Sequence, residues 1–287
     1  MKLPEKRPGE REQNRTGVRL HVLGSGTCLG PLPGAVPRMP PLFAVELPGA
    51  LLLLDCSEGA RFRLAAAGLD AAAVSHVAVT HPHADHAALP QFLQGRSCEA
   101  IYRPGRSLAL SLFLPRASAE ALPALFAFHQ PEDGGAGPSR YALSVVGVED
   151  SFSQELAPGV VLRAYAVHHG HGRNPAVAYR VEAGDVVLAY SGDTGLCDGV
   201  IAAARGATLF VCEASTRIGE DMARGYGHLS PIQAGAVARD AGARSLVLTH
   251  HTGLDADEAM LVDCRASGYG GPTRVARDGD VYELRSP

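Results

Sequence analysis

The chain has 287 residues, 46% hydrophobic and 20% charged, with a formal net charge of −4 at pH 7. That length accommodates one large domain or two intimately packed halves around a sizeable core, and the composition is that of a folded chain. The acidic balance excludes a global attraction to nucleic acid, and no apolar run approaches the ~18 residues of a membrane span.

Residues 1–17, MKLPEKRPGEREQNRTG, are charged and lack an apolar stretch, so a solvated, disordered tail is expected rather than a secretory signal. Residues 18–287 are expected to form a single domain. It opens with an alternating strand, VRLHVLG (18–24), followed by a Gly/Pro-rich turn too irregular for regular structure. LFAVEL (42–47) and ALLLLDC (50–56) flank Pro48-Gly49, a hairpin signal. EGARFRLAAAGL (58–69) has helical composition, HVAVTH (76–81) reads as a strand, and Ala87 to Gln94 as a helix. SLALSLFL (107–114) and AEALPALFAF (119–128) are both expected to be helical, and residues 129–140 a loop.

The second half repeats this organisation in type. GVVLRAYAVHHG (159–170), AVAYRVEAGDVVLAYSGD (176–193) and ATLFVCEAS (207–215) supply strands, with a hairpin turning at Ala183-Gly184-Asp185. SPIQAGAVARDAGA (230–243) is a helix capped by Ser230, with Pro231 at its first position and Gln233 completing a capping box. SLVLTHH (245–251) ends the series as a strand running into histidines. Two β-rich halves, each with helices, imply an α/β (α+β) fold of two sheets packed face to face with helices outside. The six cysteines, at 28, 56, 98, 197, 212 and 264, form no CxxC pair and read as reduced thiols in or near the core of a cytoplasmic protein.

The chemistry concentrates in VAVTHPHADHAALPQFLQG (77–95), where His81, His83, Asp85 and His86 crowd one turn after a strand. Imidazole and carboxylate together suit zinc, and no cysteine lies among them to close a thiolate site. Side chains so closely spaced cannot all reach one ion without strain; two ions, His81 and His83 on one, Asp85 and His86 on the other, resolve the geometry. Further ligands are expected at other strand ends: among His168, His169 and His171, at Asp193, and at His250.

HxHxDH, a strand-ending His-Gly, SGDT, GHLSP and LVLTHH in this order resemble the metallo-β-lactamase superfamily, and within it the ribonuclease Z and related phosphodiesterase branch. The likeness covers roughly residues 18–255. It implies an αβ/βα four-layer sandwich of two mixed sheets, and a dinuclear site of zinc, manganese or iron at one edge. His81, His83 and His169 would hold the first ion, Asp85, His86 and His250 the second, and Asp193 both. His169 is chosen because the family's strand runs directly into His-Gly. His171 would then line the pocket, and His251 would be structural or support the ligands from behind.

Glu213 and His228 correspond to catalytic residues of the branch, with His228 protonating the leaving group and Asp85 orienting the attacking water; Glu213 equally reads as a strand-end carboxylate that orients His228 through a hydrogen bond. Arginines at 173, 180, 217 and 224 are candidates for holding a phosphate. Ribonuclease Z commonly carries a long transfer-RNA-gripping arm where this chain has only a short hairpin between Tyr179 and Asp193. The resemblance therefore points to a small or nucleotide-type phosphodiester, not long nucleic acid, and to a homodimer away from membranes. The alternatives are an arylsulfatase- or lactonase-type hydrolase on the same scaffold, a ribonuclease Z-like processor of transfer RNA ends, or a metal-binding accessory protein without turnover.

Overall fold

The computed structural model describes residues 17–30, 32–104, 109–129, 140–215 and 225–286. Most of the expected tail, residues 130–139 of the expected loop and the arginines at 217 and 224 lie outside the described residues.

The first half runs β1 (Val18–Gly24), β2 (Leu42–Leu47), β3 (Ala50–Leu54), α1 (Ala60–Ala66), β4 (His76–Ala78), α2 (Leu89–Tyr102), β5 (Leu110–Pro115), α3 (Arg116–His129) and β6 (Leu143–Val148). The second runs β7 (Phe152–Ala157), β8 (Val160–Ala166), β9 (Val177–Ala183), β10 (Val186–Tyr190), α4 (Asp198–Ala204), β11 (Leu209–Glu213), α5 (Pro231–Asp240), β12 (Leu246–Thr249), α6 (Asp257–Ala266) and β13 (Thr273–Val275). A final strand, β14 (Val281–Leu284), returns to the first sheet.

The sheets have seven strands each, ordered β14-β1-β2-β3-β4-β5-β6 and β13-β12-β11-β10-β9-β8-β7. Both are mixed. From β3 to β6 and from β10 to β13 the pairings are parallel, and the rest are antiparallel.

Alternation along the strands builds the layers. In β3, Leu52 and Leu54 enter the core between the sheets, while Leu53 faces the helices on the other side. A strand buried on both faces reads as a continuous apolar run, which is why ALLLL has no polar face. The inter-sheet core draws on both halves, including Val22, Phe43 and Phe113 from the first and Leu162, Leu188 and Val211 from the second. Outside it, α1, α2 and α3 cover the first sheet and α4, α5 and α6 the second. This is the expected four-layer αβ/βα sandwich.

One expectation is corrected. Among residues 107–114 the described part from Leu110 onward is strand β5, not helix. Leu110, Leu112 and Leu114 pack under the helices and Phe113 points into the inter-sheet core. An apolar run this short carries no period that separates a doubly buried strand from a buried helix. Helix α3 forms as expected around Pro123, which lies on its exposed side. The cap of α5 is also as expected: Ser230 Oγ accepts from the Gln233 N–H, and the Gln233 side chain accepts from the Ser230 N–H.

Candidate metal centre

Parallel strands bring their carboxyl ends to a common edge, so residues that follow them in sequence become neighbours in space. Asp55 follows β3, the turn from His81 to His86 follows β4, Asp193 follows β10 and His250 follows β12. Strand β8, antiparallel to β9 and so parallel to β10, delivers His169 to the same edge. Backbone bonds hold the two sheets together here: Val177 N–H donates to Thr80 O, and His250 N–H to Ser25 O. Gly192, at φ 55°, sits so close to Thr80 that a β-carbon on it would lie 2.6 Å from the Thr80 β-carbon. The SGDT turn therefore requires its glycine.

Seven donors converge. His81 Nε2 and His169 Nε2 lie 3.0 and 3.2 Å from His83 Nδ1, and Asp193 Oδ2 is 3.6 Å from His81 Nε2 and 3.8 Å from His169 Nε2. On the other side, His86 Nε2 and His250 Nε2 are 3.3 Å apart. Asp193 Oδ1 lies 3.3 and 3.4 Å from them, and Asp85 Oδ2 lies 3.5 Å from His250 Nε2. All the metal ligands expected from the sequence are thus brought together, in the two groups expected.

The hydrogen bonds on the far side of each ring decide which nitrogen has the free lone pair. His169 Nδ1 meets Gly227 O at 2.9 Å and His86 Nδ1 meets Asp55 Oδ2 at 2.7 Å; both partners only accept, so both Nδ1 atoms carry the proton. Thr80 Oγ1 faces His81 Nδ1 at 3.1 Å and Ser215 Oγ faces His250 Nδ1 at 2.7 Å, completing the same arrangement. His83 is reversed, with Nδ1 in the cluster; its Nε2 lies 3.1 Å from the amide nitrogen of Asn174, which donates, so this contact does not by itself free the Nδ1 lone pair. Burial holds His81 well below the usual imidazole range and lowers His83 and His169, which keeps them neutral and able to ligate.

Asp193 supplies the test of fit. Its carboxyl is buried and stays ionised, because His250 and His86 outweigh the cost of desolvation. Its Oδ1 is buried without a hydrogen-bond partner among the described residues. A buried carboxylate oxygen left unpaired costs several kcal/mol. Nitrogen lone pairs and a carboxylate aimed at shared points are satisfied by divalent cations, and the donor set fits them.

Residues the sequence reading missed hold these ligands in place. Asp55, fully buried, accepts from Thr80 N–H (2.7 Å), Thr80 Oγ1 (2.9 Å), Tyr190 Oη (2.7 Å) and His86 Nδ1 (2.7 Å). Such carboxylate–histidine pairs fix ring orientation. Its sequence signal was a lone carboxylate directly after the apolar run ALLLL. Asn174, Ser215 and Tyr226 carried no signal; each acquires its part from a contact with a distant segment, Asn174 and Tyr226 with His83 and Ser215 with His250.

Beside the second group, His228 Nδ1 lies 3.0 and 3.1 Å from the two oxygens of Glu213, a carboxylate fully buried at the end of β11. Burial opposes the charged imidazole, but Glu213, and behind it Asp193, lift His228 to about 9. Glu213 also accepts the Thr194 N–H at 2.6 Å and the Ser215 hydroxyl. Since His250 Nδ1 donates to Ser215 Oγ, one hydrogen-bonded chain runs from the His250 ligand through Ser215 and Glu213 to His228.

His171, exposed and at φ 57°, flanks the cluster with its ring 5.2 Å from that of Tyr226. Arg173 is exposed at the end of the same turn. Arg180 is not at the site: it bonds Glu182 and the carbonyls of Ala203 and Arg205, pinning α4 to its sheet. His168 is exposed while His169 is fully buried, which separates the two neighbours. His251 is buried behind His250, and burial and Arg38 push it down to about 4. The cysteines are all free, but Cys28 and Cys98 are exposed rather than in the core, since the loop and helix face carrying them meet solvent. No helix among the described residues is long and apolar enough to cross a membrane.

A model of the β-lactamase superfamily domain matches residues 51–251. An uncharacterized protein of Mycobacterium tuberculosis is 31% identical, over 93% of this chain and 93% of its own. A ribonuclease Z of Methanothermobacter thermautotrophicus is 29% identical, over 72% of this chain and 79% of its own. Among solved structures, the metallo-β-lactamase fold protein YhfI of Bacillus subtilis superposes with a TM-score of 0.78 at 18% identity, covering 93% of this chain and 99% of that one.

Proposed function

We propose that this chain, which belongs to the metallo-β-lactamase superfamily in its ribonuclease Z-like branch and is a metal-dependent hydrolase, cleaves small or nucleotide-type phosphodiesters using two divalent ions, zinc foremost. The observation that carries this reading is the Asp193 carboxylate. One oxygen faces His86 and His250, and the other faces His81 and His169, so a single side chain would help hold both ions.

When bound, such a pair supplies Lewis acidity and lowers the pKa of a water. The chain's own residues do the rest. Asp85, within 3.5 Å of His250 Nε2, would help hold the second ion and could orient the attacking water. His228, protonated at neutral pH, stands ready to give its proton to the departing oxygen, and Glu213 keeps that imidazole charged and aimed. Arg173 and His171 supply the rim for the phosphate. No Ser or Cys nucleophile is needed.

A ribonuclease among the relatives supports phosphodiester chemistry, and the two-residue turn Gly184-Asp185 between β9 and β10 supports a small substrate over a long RNA. The test is hydrolysis of bis(p-nitrophenyl) phosphate beside p-nitrophenyl sulfate, with bound zinc counted per chain. Phosphodiester turnover that disappears, together with bound zinc, in Asp193→Ala is the expected outcome. Protein holding two zinc ions and inert toward the phosphodiester overturns the reading, and sulfate cleavage then favours the arylsulfatase-type alternative.

A further inference from the structure

Tyr226 is the one exposed aromatic residue among the described residues whose ring contacts the candidate centre. It is 42% exposed, and its ring stacks on His228 at 5.6 Å and 16° and on His83 at 6.4 Å and 21°. It meets His169 and His171 edge-on, at 5.4 and 5.2 Å. The tyrosine ring therefore lies beside both the first ligand group and His228.

The position is held by backbone, not by chance of rotamer. Gly227, at φ 95°, packs so tightly that a β-carbon there would lie 2.6 Å from His168 O and 2.8 Å from the His169 α-carbon. The Gly227 carbonyl is also the acceptor that orients His169. Tyr226 is thus tied to the same peptide that fixes a ligand, and it cannot drift from the site without disturbing it. The loops that carry the other ligands present Leu196 and Leu254 to solvent, both more than half exposed.

We infer that Tyr226 is the specificity-determining residue of this centre, a platform on which a planar nucleobase of the phosphodiester stacks while its phosphate meets the ligand groups and its leaving oxygen meets His228. The inference rests on the phosphodiester reading above and adds which substrates are selected. Base-on-aromatic stacking suits the role because every base has a π-face, and it is worth about 5- to 150-fold in affinity per base. A sugar phosphate without a base gains none of it.

The experiment measures binding of adenosine 5′-monophosphate and ribose 5-phosphate to the zinc-loaded full chain by calorimetry, so that it does not depend on turnover. The wild type binds the nucleotide about tenfold or more tightly than the sugar phosphate. Tyr226→Leu abolishes that ratio and Tyr226→Phe retains it, with bound zinc per chain confirming in each variant that the centre is intact. A wild type without the preference, or a preference that survives Tyr226→Leu, overturns the inference. Turnover of bis(p-nitrophenyl) phosphate in the same preparations is scored separately. Its absence sinks the phosphodiester reading, whereas turnover without a base preference sinks only the role of Tyr226.

Discussion

Glu213→Gln changes one atom type and leaves the volume of the site unaltered, yet it removes the charge that keeps His228 protonated. Raising an imidazole from 6.5 to about 9 against the cost of burial amounts to ~3 kcal/mol of preference for the charged form. Because the folded value is raised, the donor stays protonated through pH 7 and is lost as pH climbs through about 9. In Glu213→Gln that loss moves down towards the unperturbed range, where an imidazole at pH 8 is protonated in only about one molecule in thirty. The expected result is a fall of about thirtyfold in kcat/KM at pH 8 and a much smaller one at pH 6. The assay is a pH profile on two substrates, a dinucleotide with an alkoxide leaving group and bis(p-nitrophenyl) phosphate. The p-nitrophenolate leaves without a proton, so only the dinucleotide should show the full effect. An equal loss on both substrates, or a loss independent of pH, refutes His228 as the proton donor.

Asp55→Asn deprives four donors of a buried carboxylate, including the His86 Nδ1–H. Zinc affinity, measured by competition with a chelator, is expected to fall about 10- to 100-fold, and the metal-free chain to lose about 1.5–3 kcal/mol in urea unfolding. Unchanged affinity refutes its role in orienting His86. Ser230→Ala removes the side-chain half of the α5 capping box, the bond from the Gln233 N–H to Ser230 Oγ, and should cost ~1 kcal/mol, seen as a lower urea midpoint with the slope unchanged. Bound zinc per chain should not change.

The sequence alone determined what is local. HxHxDH needed no structure to announce ligands, since each donor lies within a few residues of the next after a strand of plain alternation. The capping box of α5 was equally legible, because its hydrogen bonds close within residues 230–233. The layers followed from apolar strands alternating with helices, although the strand order did not. Among the assigned elements, β5 was taken for a helix where burial on both faces erased the two-residue period that marks a strand.

Tertiary structure alone decided what depends on two distant segments meeting. His169 was distinguishable from His168 by residue type only through the family's pattern; in the fold one is fully buried and the other exposed because the strand end presents them to opposite sides. Asp55 gained its role from parallel pairing of β3 with β4, which sets its carboxylate against Thr80 and His86, and from Tyr190 reaching across from the other sheet. Arg180, a phosphate candidate by its nearness in sequence, was turned away by the pleat of β9 onto α4. Ser215 and Tyr226 gain their surroundings from distant segments, Ser215 from His250 and Tyr226 from His83 and His169. A side chain's type is written in the sequence, but its partners are set by strand register and sheet packing, and those are properties of the whole chain.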